Sequence, residues 1–378
     1  MDDPNRQTLK NLRRKWGWIT ASGVILWWSF FAWLRTWWQS PNPWRWLLMS
    51  GLALGYLLGV LWHGLDKNRR PHQADLLPTL GLGNLISIGR GFIIAFFCGF
   101  LFSPWPDSAW KAWLPGILYT LATLPDFVDG IAARITDHVT KLGEILDMST
   151  DSLGMLGVSL LAVQYGQVPG WYLLVGLARY IFLAGIWLRH RRNLPVYDLP
   201  FSVRRRGYGA LAMGLFLISL YPLFQPPGTY FAAMVFAAYV LGGFVWDWLV
   251  TIGWLPAQPG EGYLHLERII LRYVPLGLRL LLLLWGLTDL VPELLSGNRS
   301  PYLWLEAGVA LCLVLGIAGR VMAIAALVIL GLHQSAYFGL IFLNANLLFL
   351  GTGVCSLLPI EDRLIYHRVG DHRQDNLR

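Results

Sequence analysis

Asp126, Asp129, Asp147 and Asp151 join Gly130, Gly143 and Arg134 in one spaced run. It reads Asp126-x-x-Asp129-Gly130-x-x-Ala133-Arg134, then eight residues, then Gly143-x-x-x-Asp147-x-x-x-Asp151. On a helix, positions 126, 129, 130 and 133 fall on one face, and 143, 147 and 151 fall on one face of the next, extended by Gly154. The short connection at 135–142 makes the two helices antiparallel neighbours with opposed acidic faces. Like charges so arranged repel and call for cations. An all-oxygen set suits magnesium or manganese, and not zinc or copper. Two hard cations held by helix carboxylates fit displacement at phosphorus, where metals neutralise charge on the attacking and leaving oxygens. A carboxylate not spent on metal can take the proton of an incoming hydroxyl.

These acids sit in a greasy chain. Of 378 residues, 55% are hydrophobic and 14% charged, against about 25% charged in a soluble domain. Apolar stretches of roughly 18–22 residues recur, each able to cross about 30 Å of hydrocarbon. The fold class is therefore an all-α polytopic membrane protein with about twelve transmembrane helices. Residues 1–66 form a two-helix hairpin (17–37 and 44–63). Residues 67–255 form a core of about six spans (84–103, 112–134, 143–163, 171–188, 207–223 and 229–250). After the linker Leu255-Pro256-Ala257-Gln258-Pro259-Gly260, residues 256–378 add an amphipathic stretch at 264–272 and about four spans, 273–290, 302–318, 321–339 and 341–358. The first apolar stretch is too long for a signal core and lacks a cleavage site, so it is expected to remain as an anchor.

The net charge of +8 does not indicate nucleic acid, because the basic residues cluster in alternate loops. That is the positive-inside pattern, and it predicts both termini and the aspartate run on the cytoplasmic side; the expected location is a bacterial inner membrane. Cys98, Cys312 and Cys355 lie in apolar segments without metal-like spacing. Trp16, Trp18, Trp37, Trp38, Trp44 and Trp46 lie near predicted span ends, as interfacial belts require. Arg179 falls inside a predicted span and needs a partner or a hydrated cavity. Arg90 is close enough to a span end to snorkel.

The aspartate run resembles the signature of the CDP-alcohol phosphotransferase family at all eight of its positions, over residues 78–252. Upstream, Asn84-Leu85-Ile86-Ser87-Ile88-Gly89-Arg90 is similar to the Asn-x-(Ile/Leu)-Thr-x-x-Arg stretch that opens the family's first catalytic helix. The resemblance implies a two-ion magnesium or manganese centre on Asp126, Asp129 and Asp147, with Asp151 completing the acidic set and acting as base. It implies that Gly130, Arg134, Gly143 and Asn84 contact the cytidine nucleotide. Many relatives carry Gly-Lys at the start of the fifth helix, where this chain has Gly207-Tyr208 preceded by Arg204, Arg205 and Arg206. Those arginines and Arg179 are candidate phosphate partners for the substrate.

Residues 270–360 resemble the DoxX-like four-helix membrane proteins, which suggests an accessory block with Glu306, Arg320, His333, Gln334, Asn344 and Asn346 as its polar residues. The expected partners are a CDP-activated lipid, an alcohol acceptor, membrane lipid and a second copy of the chain, with no nucleic acid. The expected activity is transfer of a phosphatidyl group from CDP-diacylglycerol to an alcohol with release of CMP. Transfer from a CDP-alcohol to a diacylglycerol-type lipid is the alternative within the same chemistry. A cation-binding transporter and an inactive scaffold are alternatives of other classes. The glycines and Arg134 distinguish them, because a cation path needs no nucleotide-accommodating residues.

Overall fold

The computed structural model describes residues 4–38, 42–70, 73–106, 110–125, 139–199, 203–256, 261–296, 300–332 and 337–358. Each predicted span contains a helix among these residues. Seven helices are long and apolar enough to cross a bilayer, and four shorter apolar helices accompany them. The chain is an integral membrane protein. It divides into two compact units, one of Met1–Gly166 with Phe216–Pro222, the other of Gln167–Leu215 with Leu223–Arg378.

In the first unit α1 (Pro4–Arg35) and α2 (Pro43–Gly64) form the hairpin, followed by α3 (Gly81–Cys98), α4 (Leu114–Thr123) and α5 (Lys141–Gln164). The basic segment at the start of α1 is helical and continuous with the apolar stretch. Its Leu12 enters a buried cluster with Leu61, Leu65, Leu80, Leu142 and Leu146. Small residues bring α5 against α3. A side chain on Gly154 would meet Ile94 at 3.2 Å, and one on Gly157 would meet the Cys98 sulfur at 3.0 Å. Within lipid, close approach of this kind replaces the hydrophobic drive that water supplies elsewhere. One predicted belt tryptophan lies elsewhere: Trp46 is fully buried. It stacks near Phe30 and Phe31, and its ring occupies the space beside Gly99. The adjoining aromatic side chains outcompete the membrane interface for that ring.

In the second unit α6 (Leu173–Arg191) packs on α8 (Gly228–Thr251), with the Trp248 ring filling the gap over Gly185. Helix α7 (Val203–Ser219) runs into the first unit's short segment. The amphipathic stretch and the span expected at 273–290 are one helix, α9 (Glu261–Trp285), continued by a π turn, Gly286–Leu290, and α10 (Val291–Leu295). Helix α9 passes through Pro275, and near it the Arg272 carbonyl accepts from the Val354 amide (3.1 Å). Helices α11 (Pro301–Leu315), α12 (Gly319–Leu332) and α13 (Phe338–Leu350) complete the unit.

The last expected span, 341–358, stops being helical at Leu350. Gly351 and Gly353 take positive φ angles of 87° and 67°, and residues 351–358 run irregularly. Irregular backbone at membrane depth is tolerated only where its polar groups are satisfied by protein. Arg279 of α9 does this. Its guanidinium is buried and donates to the carbonyls of Thr352 (3.1 Å), Val354 (2.8 Å) and Cys355 (2.9 Å), and to Leu313 (3.1 Å) and Val314 (2.6 Å) at the end of α11.

Candidate active site

Helix α5 begins where the second half of the aspartate run requires. Thr140 is extended (φ −130°, ψ 154°), and its hydroxyl accepts from the Gly143 amide at 3.0 Å. This satisfies one of the helix's open donors. Glu144 in the first turn suits the positive end of the helix. With the start fixed, Gly143, Asp147, Asp151 and Gly154 follow at intervals of four, four and three along the face turned to α3.

Opposite the first of these stands Asn84. Its side-chain amide donates to the Thr140 hydroxyl (3.1 Å) and to the Asn68 carboxamide oxygen (3.4 Å). Asn68 is fully buried and donates to the carbonyls of Leu77 (3.0 Å) and Thr79 (2.8 Å), closing the loop between α2 and α3. The backbone adds a further tie, from the Lys141 amide to the Arg69 carbonyl (3.1 Å). Asn68, Asn84 and Thr140 therefore form one polar clamp that sets the entry of both helices. Gly143 is part of it, because a Cβ there would lie 2.6 Å from Asn84 Oδ1.

Two turns deeper, Arg90 of α3 reaches across to the acidic face. Its Nη1 lies 3.0 Å from Asp147 Oδ1, and its Nη2 bonds to Asp151 Oδ1. The side chain of Arg90 is 3% exposed, whereas those of Asp147 and Asp151 are 44% and 24% exposed. This corrects the snorkelling reading. Arg90 points into the protein because two carboxylates one helical turn apart offer a better partner than the membrane surface. The sequence signal available was an arginine seven residues into an apolar helix, facing a glycine- and aspartate-bearing one.

Asp126, Asp129, Gly130 and Arg134 lie outside the described residues, as do His333 and Gln334. Among the described residues no cluster of three or more metal-type ligands occurs. Asp147 and Asp151 still fit a hard cation. Both offer carboxylate oxygens from one helix face, and those oxygens converge on a single positive group. Arg179 is half-buried on α6 of the second unit, and Arg204, Arg205 and Arg206 belong to the first turns of α7, their side chains outside the described residues. In the C-terminal block, Asn346, Asn344 and Arg320 are hydrogen-bonded within the second unit. The Tyr239 hydroxyl of α8 donates to Asn346 (2.6 Å), Asn344 donates to the Leu340 carbonyl (2.8 Å), and Arg320 to the Leu348 carbonyl (3.0 Å).

Residues 80–253 match the family model of CDP-alcohol phosphatidyltransferases. The matched segment draws helices from both compact units. Among curated proteins, a CDP-diacylglycerol–glycerol-3-phosphate 3-phosphatidyltransferase of Bacillus subtilis is 30% identical over 116 residues, which are 28% of this chain and 60% of that protein. A protein of Mycobacterium tuberculosis, provisionally named a cardiolipin synthase, is 31% identical over 122 residues, 31% of this chain and 56% of that one. A protein of the same provisional name in Mycobacterium bovis matches to the same extent. The chain thus spans rather more than half the length of these relatives. No solved structure matches it.

Proposed function

We propose that this protein transfers a phosphatidyl group from CDP-diacylglycerol to an alcohol, releasing CMP. The observation that carries this reading is the Asp147 and Asp151 pair, presented on one face of α5 and converging on one positive group inside a phosphatidyltransferase segment. The name of the Bacillus relative, with CDP-diacylglycerol as donor, favours this direction over a CDP-alcohol donor.

Asp147, with Asp126 and Asp129, would hold divalent magnesium or manganese, which when bound supplies charge neutralisation at the pyrophosphate. Asp151 accepts the proton of the acceptor hydroxyl, and the hydroxyl oxygen attacks the lipid-side phosphorus. The new P–O bond replaces the one to CMP, which departs with the bonding electron pair. Thr140, Asn84 and Asn68 keep the two helices in register, so that Asp151 stays at a fixed height on α5. Arg134 and the signature glycines are the nucleotide side of this reading. Arg179 and Arg204–206 are its candidates for acceptor phosphate. The basic loops place the acids at the cytoplasmic face, and the C-terminal helices serve as an accessory module attached through α8.

The test is the purified full-length protein given CDP-diacylglycerol, magnesium or manganese, and a panel of alcohols that includes glycerol 3-phosphate. CMP release that depends on one alcohol, with the matching lipid seen by mass spectrometry, is the expected outcome. A cation carrier would release no CMP and gain no thermal stability from CMP with magnesium.

A further inference from the structure

Arg90 presents an arrangement that the proposed chemistry does not use. A buried guanidinium keeps its charge, and at membrane depth it needs a partner. The aspartates have the reverse problem, since like charges one turn apart on a helix repel. Arg90 answers both, with one prong to each Oδ1. Asp147 and Asp151 are 44% and 24% exposed whereas Arg90 is 3% exposed, so the buried guanidinium is the fixed member of both bridges. What the guanidinium fixes is where their oxygens point. The oxygens it fixes belong to the carboxylates assigned above to cation and proton.

We propose, resting on the phosphatidyltransferase reading, that Arg90 is a positioning residue. It is the resident counter-cation that holds Asp147 and Asp151 in register when no divalent ion is bound, and ion binding competes with it. A planar fork can bridge two carboxylates at once, whereas a lysine ammonium acts as a point charge. Arg90→Lys therefore holds one acid well and the other poorly.

The experiment uses full-length protein in nanodiscs, stripped with chelator and titrated with Mn2+, with free Mn2+ read by electron paramagnetic resonance. Arg90→Gln is expected to bind Mn2+ about tenfold more tightly than the wild type, since one nearby positive charge is gone. Arg90→Lys is expected to fall between the two. In chelator, Arg90→Gln should melt below the wild type, and adding Asp147→Asn should return part of the loss. If Arg90→Gln does not fold, Arg90→Lys carries the comparison, with tighter Mn2+ binding still expected. Equal or weaker Mn2+ binding by the variants, with the wild type binding normally, overturns the role of Arg90 and leaves the transferase reading intact. Failure of every variant and the wild type to bind Mn2+ overturns both the ion-based reading and the competition built on it.

Discussion

The carboxamide oxygen of Asn84 occupies the space that a side chain on Gly143 would need, 2.6 Å from the position of its Cβ. A signature glycine that the family resemblance assigns to a nucleotide also has a packing duty here. Asn84 cannot retreat cheaply, because its amide is engaged by Thr140 and Asn68. Gly143→Ala is expected to cost about 1–3 kcal/mol, the usual range for overpacking. Thermal melts of Gly143→Ala, Asn84→Ala and the double variant should show a coupling of about 1 kcal/mol, as for residues in contact. Additive losses would mean that the glycine serves a ligand and not the clamp.

Thr140 makes a separable contribution at the same corner. Thr140→Ala removes the N-cap of α5 and one partner of Asn84, and should lower stability by about 1 kcal/mol or somewhat more. Thr140→Ser keeps the hydroxyl and should recover most of it. Denaturant titration of the three proteins in one detergent measures this.

For the acid pair, Asp151→Asn should reduce kcat by about 100- to 10,000-fold, the span expected on losing a general base. Mn2+ binding should largely persist in that variant. Asp147→Asn should weaken Mn2+ binding and turnover together. CMP release and Mn2+ titration on the same preparations separate the two, and unchanged turnover in Asp151→Asn would remove its assignment as base.

Arg279 in the second unit gives a prediction about stability alone. Arg279→Met leaves the carbonyls of Thr352, Val354 and Cys355 without their donor, at about 1–3 kcal/mol for each buried group left unsatisfied. Arg279→Lys should rescue little, since three donors on a single nitrogen cannot serve carbonyls from two segments. Hydrogen exchange should report the loss first at residues 351–358. Equal protection in wild type and Arg279→Met would refute the assignment.

The long apolar helices were legible in the sequence because lipid imposes one periodicity and one length. The expected 143–163 compares with Lys141–Gln164, and 229–250 with Gly228–Thr251. The placement of Asp147 and Asp151 on one face followed from their spacing. What spacing cannot report is which neighbour answers a charge. Arg90 reads as an arginine near a span end until α5 is set beside α3, and Asn68 reads as an ordinary loop residue until its amide meets the carbonyls of Leu77 and Thr79. The end of the final helix was missed for a related reason. Hydropathy continues past Leu350, but Gly351 and Gly353 turn the backbone, and Arg279 makes that turn tolerable from about 70 residues away.

Leu12 touches the same apolar cluster as Leu142 and Leu146, and so the opening turns of the polypeptide act as a wall behind the acid-bearing helix. Clipping the chain within its first helix would strip that wall. A minimal fragment begun at residue 67 would retain every signature position and still lose the backing that keeps them aimed.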